Sequence, residues 1–327
     1  MRCRKINAAP APHAPQELLR LFKSSVPIDN FDPSKLGPSG KLHKVDTDEG
    51  VRMRNTMHNR VQADAFIPAG GRPNTIDESN WKQFLLPDGT PSSPLIVEGA
   101  NLFITPQARE KMFKEAGILI VKDSSANKAG VICSSYEICA AMLLSEAEFL
   151  DNKDEIVSDV LIKLRHFAKV EAELLFREFK NYPGALPHFS ALISDTINAA
   201  TDAVMEELQN LPEEEITSML PLIGQHLPAK MSEMAYDRIS DNVPYQYQLA
   251  AISSSLASKI VYAEGVNFIK SQPKSNLSML ALKYIEAEKE VNRLGEALEG
   301  ANLEDDVKDQ VKDLIKRGGV RTTLNVF

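Results

Sequence analysis

The stretch Pro94-Leu-Ile-Val-Glu-Gly-Ala-Asn101, followed by Thr105-Pro-Gln-Ala-Arg-Glu-Lys-Met-Phe-Lys-Glu-Ala-Gly-Ile-Leu-Ile-Val121, decides the fold of this chain. Its two runs of Leu, Ile and Val are short and continuous, which is typical of strands buried on both faces of a parallel sheet. Between the runs, Thr105 is a good N-cap, Pro106 stands at the first helical position, and Gly117 ends the helix. The order strand, capped helix, strand predicts one βαβ unit.

The rest of the chain predicts one more strand and then only helices. Ala63-Asp-Ala-Phe-Ile-Pro68 is a third short apolar run. After Ala126 such runs end, and apolar residues recur every three or four positions, as in residues 154–180. Further helices are expected at 187–210, 213–223, 228–240, 244–270, 276–298 and 303–316. The predicted fold class is therefore α/β: a partial Rossmann-like parallel sheet followed by an all-α C-terminal region.

The overall composition excludes several classes of protein. The 327 residues are 43% hydrophobic and 25% charged, as in ordinary globular proteins. The formal net charge of −8 argues against nucleic acid and anionic membranes, because both are polyanions. No apolar run approaches the roughly 18 residues that cross a bilayer. We therefore expect a soluble, intracellular protein with no nucleic-acid partner and no membrane partner.

The three cysteines indicate a reducing compartment. An odd and sparse count provides no disulfide framework, so the cytoplasm or the mitochondrial matrix is the expected location. Cys133 and Cys139 are six positions apart on a predicted helix, where they do not share a face as metal ligands would. We expect no metal site.

Each predicted strand ends in small, polar or glycine-rich residues: Pro68-Ala-Gly-Gly71, Glu98-Gly-Ala-Asn101 and Asp123-Ser-Ser-Ala-Asn127. Ligands of open parallel sheets bind beyond the carboxyl ends of the strands, and small side chains there let a cofactor approach the backbone. The alternative for any single loop is that glycine only makes a turn. Three such loops in succession favour a ligand site.

These motifs resemble the glutamate dehydrogenase superfamily, which also includes leucine, phenylalanine and valine dehydrogenases. The resemblance rests on Glu98-Gly-Ala-Asn101, on Thr105-Pro, and on Asn127-Lys-Ala-Gly-Val131 with Ser134 and Glu137. Pro68-Ala-Gly-Gly-Arg-Pro73 and Lys122-Asp-Ser-Ser-Ala-Asn-Lys128 are similar to the large-type NAD-specific branch, of which this chain resembles the C-terminal portion. The similarity runs from about residue 52 to about residue 179.

The resemblance implies a reaction and a set of binding residues. Family members oxidise L-glutamate to 2-oxoglutarate and ammonia, passing hydride to NAD in a cleft between two domains. Ala69, Gly70 and Asn101 match the cofactor-binding positions, and Gly130, Val131 and Ser134 match the substrate-binding positions; all six stand in the quoted motifs. Two alternatives stay open, namely that Asn101 only caps a turn and that the neighbouring Ser135 takes the role of Ser134.

The chain also departs from the family pattern. Ala129 stands where the family usually has glycine, which would cost about 1 kcal/mol if that position requires φ above zero. No Gly-x-Gly-x-x-Gly follows a strand, so the pyrophosphate cradle is not in this sequence. Nor does any segment match the domain that supplies the catalytic lysine and aspartate. We assign no catalytic residue, expect Glu98 to fix its loop, and expect this chain to be inactive alone.

The predicted domains are an irregular N-terminal segment at 1–60, the C-terminal half of a dinucleotide-binding domain at 61–126, and a helical region at 127–327. Helical regions of this size usually bury apolar stripes on neighbours, so a homo-oligomer is expected. Two alternatives to a glutamate dehydrogenase portion are open. One is a non-catalytic helical scaffold or assembly module, and the other is a dehydrogenase of another amino acid.

Overall fold

The computed structural model describes residues 20, 23–25, 32, 34, 47–70, 72–272 and 277–324. The chain forms two compact units, Met1–Asn127 (unit 1) and Lys128–Phe327 (unit 2). Most of the predicted segment 1–60 lies outside the described residues, and the division at 60 and 126 stays a prediction.

Unit 1 contains a short helical segment, a small sheet and the helix that connects its strands. Its elements are α1 (Asp48–Asn55), β1 (Leu95–Val97), α2 (Pro106–Ala116), β2 (Leu119–Val121) and α3 (Asp123–Ala126). Two 3-10 helices, Met57–Asn59 and Trp81–Phe84, precede β1.

The predicted βαβ unit is confirmed. β1 and β2 pair in parallel, with Leu95 opposite Leu119. The Thr105 side chain accepts a hydrogen bond from the Ala108 backbone N–H and so caps α2 at its start. Gly117 ends the helix with φ of 65°, in the left-handed region that glycine adopts at little cost.

The third predicted strand is only partly formed. Phe66 makes an isolated parallel bridge to Ile96, because its N–H donates to the Leu95 carbonyl at 2.9 Å and its carbonyl accepts from the Val97 N–H at 2.9 Å. Pro68 follows two residues later, and it has no N–H to continue the ladder. The pairing therefore ends after one bridge.

The core of unit 1 lies around this sheet and α2. It consists of apolar side chains that are at most 5% exposed, among them Trp81, Phe84, Ile96, Ile104, Met112 and Ile120. Burial of such side chains is worth about 1.5–3 kcal/mol each relative to exposure. The cluster holds the ends of β1 and β2 in fixed positions.

Unit 2 is helical throughout its described residues. Its helices are α4 (Ala129–Leu143), α5 (Glu146–Asp151), α6 (Lys153–Asn181), α7 (Leu186–Leu208), α8 (Glu213–Ser218), α9 (Leu220–His226), α10 (Ala229–Ala235), α11 (Ile239–Asn242), α12 (Tyr245–Glu264), α13 (Val266–Ser271), α14 (Leu277–Ala297) and α15 (Asp305–Leu324). A small parallel sheet followed by a helical region confirms the predicted fold class.

Three of the predicted helices are divided in the structure. The segment predicted at 228–240 becomes α10, a 3-10 helix at Tyr236–Arg238, and α11. The segment predicted at 213–223 breaks before Pro221, which takes a place in the first turn of α9, where its missing N–H costs nothing. The segment predicted at 244–270 breaks at Gly265, whose φ of 90° no helix accommodates. None of the helices in the described part of the chain is both long and apolar enough to cross a membrane.

Candidate functional site

The first two predicted loops of unit 1 lie against each other. The Ala100 N–H donates to the Pro68 carbonyl at 2.6 Å, which ties the loop after β1 to the loop that contains Ala69 and Gly70. A Cβ at Gly99 would lie 3.1 Å from the same carbonyl oxygen, so glycine permits this close approach.

Asn101 lies at the tip of the loop after β1, with its side chain exposed. Its Oδ1 accepts a hydrogen bond from Asn127 Nδ2 at 2.5 Å, and Asn127 Nδ2 also lies 3.4 Å from the Gly99 carbonyl oxygen. The side-chain oxygen of Asn101 is therefore engaged by Asn127. The side-chain NH₂ group of Asn101 is the donor that this residue can offer to a ligand. The structure thus brings the second and third loop motifs together.

Asn127 is a candidate residue that sequence reasoning missed. It is the last residue of the motif Asp123–Asn127 and is not among the predicted cofactor-binding residues. The available signal is its place beyond the carboxyl end of β2, which is the neighbour in the sheet of β1, the strand that precedes Asn101.

A cavity of about 1000 Å³ lies beside the predicted cofactor loop. Ala69 and Gly70 line it, together with Arg72, His58 and Phe103, whereas Asn101 does not. His58 stacks on the Phe66 ring with centroids 5.5 Å apart. Burial, and then the charge of Arg60, lowers the His58 pKa, so this ring is neutral at neutral pH. The cavity thus offers the guanidinium of Arg72 and a wall of mixed polar and apolar side chains.

Glu98 fixes its loop, as expected from the sequence. Its carboxylate is fully buried, accepts from the Ile104 backbone N–H at 3.0 Å, and pairs with Arg109 at 2.8 Å. Burial raises the pKa of Glu98, and the hydrogen bond and charge of Arg109 oppose that rise. Because both of its oxygens are engaged, Glu98 is a poor candidate for a general base.

The substrate-binding residues predicted in unit 2 all lie in the first turns of α4. Val131 is 76% exposed, and Ser134 is also exposed, with its hydroxyl donating to the Gly130 carbonyl at 3.2 Å. Ser135 is half-buried; it donates to the Ile132 carbonyl at 2.7 Å and lies 3.4 Å from His226 Nε2. Of the two neighbouring serines, Ser134 is the accessible one.

Ala129 causes no backbone strain. It is the first residue of α4, and the non-glycine residues with positive φ in the described part are Ser25, Asn74 and Leu102. The cost that would follow from a positive φ at this position therefore does not arise.

Lys128 anchors the start of α4. Its Nζ lies 2.9 Å from Glu171 Oε2, a carboxylate that is 3% exposed, and the Tyr262 hydroxyl donates to the same oxygen at 2.7 Å. Burial, and next the Glu171 charge, raises the pKa of Tyr262 well above its ordinary value, so the hydroxyl stays protonated. α4, α6 and α12 thus meet at one buried carboxylate.

The described residues hold no group of three or more His, Cys, Asp and Glu side chains that could bind a metal ion. The candidate residues of unit 1 offer backbone loops and side-chain amides, and unit 2 separately offers a serine hydroxyl.

Residues 16–176 match the Glutamate/Leucine/Phenylalanine/Valine dehydrogenase family. The chain belongs to this family. It is 34% identical over 279 residues to "Glutamate dehydrogenase 2" of Dictyostelium discoideum, which covers 77% of this chain and 26% of that protein. It is 34% identical over 280 residues to "NAD-specific glutamate dehydrogenase" of Neurospora crassa, covering 76% of this chain and 26% of that protein.

A third relative is the "Probable NAD-specific glutamate dehydrogenase" of Schizosaccharomyces pombe, 29% identical over 77% of this chain and 24% of that protein. The chain therefore spans about a quarter of the length of these relatives. No solved structure matches it.

Proposed function

We propose that this chain is a portion of an NAD-dependent glutamate dehydrogenase, which oxidises L-glutamate to 2-oxoglutarate and ammonia. In the proposal Ala69, Gly70 and Asn101 of unit 1 bind NAD, with Asn127 beside Asn101 as an additional member. Gly130, Val131 and Ser134 of unit 2 bind the substrate. The family membership and the printed names of the relatives support the reaction and the cofactor.

The observation that carries the proposal is the pair of hydrogen-bonded amides of Asn101 and Asn127, which lie in the segments that follow two adjacent parallel strands. The nicotinamide ring bears a carboxamide, which needs a donor for its oxygen and an acceptor for its NH₂ group. An asparagine whose oxygen is already engaged presents an NH₂ donor in one orientation. This arrangement suits the carboxamide oxygen of the cofactor at the edge where ligands of parallel sheets bind.

The experiment requires a complete enzyme, because the chain matches only about a quarter of its relatives' length. A chimera in which this chain replaces the matching segment of the Neurospora crassa relative provides one. With Ser134→Ala we expect the KM for glutamate to rise about tenfold, as loss of one charge-assisted hydrogen bond implies. Ser135→Ala is the matched control, because Ser135 is engaged by Ile132 and His226.

Two results would count against the proposal. An unchanged KM in Ser134→Ala together with a raised KM in Ser135→Ala would reassign the substrate contact. A folded chimera without NAD-dependent oxidation of glutamate would remove the proposed reaction, and activity on leucine or phenylalanine instead would favour a dehydrogenase of another amino acid. The chain alone should bind NADH weakly or not at all, and a micromolar Kd by NADH fluorescence would contradict that expectation.

A second candidate function is an assembly module. Val157, Leu161 and Ile162 of α6 are 44%, 44% and 59% exposed, and exposed apolar stripes often mark protein contacts. Sedimentation of the purified chain tests the contact surface: an assembly module forms a homo-oligomer that Leu161→Lys dissociates, and an oligomer that this substitution leaves intact would contradict the role of α6. The activity of the chimera separates the two candidates, because a non-catalytic module gives no oxidation of glutamate.

A further inference from the structure

We propose that Arg109 is a positioning residue for Asn101. It acts through two buried carboxylates, which hold the backbone that directly follows Asn101 in the chain. This inference rests on the proposed function, because it assumes that Asn101 contacts the cofactor. It assigns a role in cofactor recognition to a side chain on α2 that is 4% exposed and so cannot itself reach a ligand.

Arg109 is the centre of a buried ion network. Arg109 Nε donates to Glu98 Oε2 at 2.8 Å and its Nη2 donates to Glu98 Oε1 at 3.1 Å, which is a two-point contact. The same Nη2 lies 3.5 Å from Asp123 Oδ1. One guanidinium therefore joins the residue after β1 to the residue that begins α3, from its own place in the first turn of α2.

The two carboxylates in turn bind backbone N–H groups that follow Asn101. Glu98 Oε1 accepts from the Ile104 N–H at 3.0 Å, and Asp123 Oδ2 accepts from the Leu102 N–H at 2.9 Å. These N–H groups belong to residues one and three positions after Asn101. The backbone just beyond the Asn101 tip is thus fixed by side chains that Arg109 keeps in place.

These hydrogen bonds maintain an unusual backbone conformation at Leu102. Leu102 has φ of 55°, a region that a bulky side chain rarely adopts, and its side chain is 57% exposed. A leucine this exposed gains little burial energy that would compensate for this conformation. Such a backbone persists only when its surroundings impose it, and strained residues of this kind cluster at ligand sites. Relaxation of Leu102 to negative φ would rotate the peptide next to Asn101 and turn its amide away.

The buried ion network contributes a fixed geometry to this loop more than it contributes stability. Replacing a buried ion group by well-packed apolar residues often leaves stability unchanged or improves it, so stability alone does not require the network. A guanidinium contacting two carboxylates does, however, determine one geometry, because its donors have a fixed planar arrangement. Lysine retains the charge but loses the two-point contact. Arg109→Lys is therefore a test of geometry more than of charge.

The test is a double-mutant cycle in the Neurospora crassa chimera with Arg109→Lys, Asn101→Ala and both together, reading the KM for NAD and kcat. We expect each single substitution to raise the KM for NAD about tenfold, and the pair to raise it about tenfold as well, because residues that act through each other are not additive. Lys114→Met, which removes an exposed ion pair on the same helix, is the matched control and should stay within about twofold.

Trp81 fluorescence measures the stability of unit 1 separately, since Trp81 is the only tryptophan of the chain and is buried there. Arg109→Lys should lower the unfolding midpoint by the same amount whether or not Asn101 is present. A purely structural role of Arg109 would therefore lower the midpoint but would not make the effects on the KM for NAD non-additive. If the Arg109→Lys chimera does not fold, Glu98→Gln enters the same cycle.

The outcomes separate the two proposals. If Asn101→Ala raises the KM and Arg109→Lys does not, or if the two effects multiply to about a hundredfold, the positioning role is wrong and the proposed function stands. If Asn101→Ala itself leaves the KM for NAD unchanged, the cofactor role of Asn101 is wrong and the positioning role is overturned with it.

Discussion

His226 should make unit 2 lose stability in mild acid. Its ring lies 5.1 Å from the Tyr136 ring, and its Nε2 lies 3.4 Å from the Ser135 hydroxyl. Burial, and then the neighbouring charge of Lys163, lowers the His226 pKa from 6.5 to about 4. The folded protein therefore keeps this ring neutral where the unfolded chain would protonate it.

The sign and size follow from that difference. Because the pKa is lower in the folded state, the His226 contribution is fully present above pH 6.5 and is lost as the pH falls toward 4. At pH 5 the unfolded chain is almost fully protonated at this site and the folded protein is about one tenth protonated. The linked loss between pH 7.5 and pH 5 is about 2 kcal/mol.

The assay is urea unfolding at pH 7.5, 6 and 5, followed by far-UV circular dichroism, which the helices of unit 2 dominate. Other groups also titrate, so the informative quantity is the difference in unfolding free energy between the wild type and His226→Gln. This difference should shrink by about 2 kcal/mol toward pH 5. His166→Gln, at an exposed position on α6, is the control. A difference that stays constant across this pH range would refute the reasoning.

Two further perturbations test the anchors of each unit. Lys128→Met should destabilise unit 2 by about 2–3 kcal/mol, because the buried Glu171 carboxylate loses this ion pair; an unchanged midpoint by circular dichroism would show that the pair contributes nothing. Gly117→Ala should cost unit 1 about 1 kcal/mol through its φ of 65°, measured by Trp81 fluorescence, and Gly117→Asn should cost less. Equal costs for Ala and Asn would contradict the left-handed conformation as the cause.

The elements that could be predicted from the sequence are those defined by neighbouring residues. The N-cap at Thr105 and the stop at Gly117 both act within one turn of α2, so local chemistry was sufficient to place that helix. The same local reasoning extended the helix predicted at 244–270 through Gly265, because a glycine with φ of 90° is not distinguishable in sequence from one that is tolerated in a helix.

The candidate site was predictable only in part, for a related reason. The place of Asn101 beyond a strand end followed from the motif and from the general geometry of parallel sheets. The hydrogen bond to Asn127 joins residues 26 positions apart, and the contact of Ser135 with His226 joins residues 91 apart. Contacts over such separations depend on the packing of whole elements, so the sequence left the choice between Ser134 and Ser135 open.

The same limit affects how substitutions in this chain should be judged. Arg109 stands on α2 at a position that a sequence pattern describes only as charged, and Arg109→Lys would look conservative there. In the structure the guanidinium makes a two-point contact with Glu98 and approaches Asp123, which a single ammonium cannot reproduce. An exposed lysine such as Lys114, five residues later on the same helix, makes one ion pair with Glu110 that water screens. Substitutions at 109 and 114 should therefore differ greatly in effect, because burial and geometry decide the consequence and residue type alone does not.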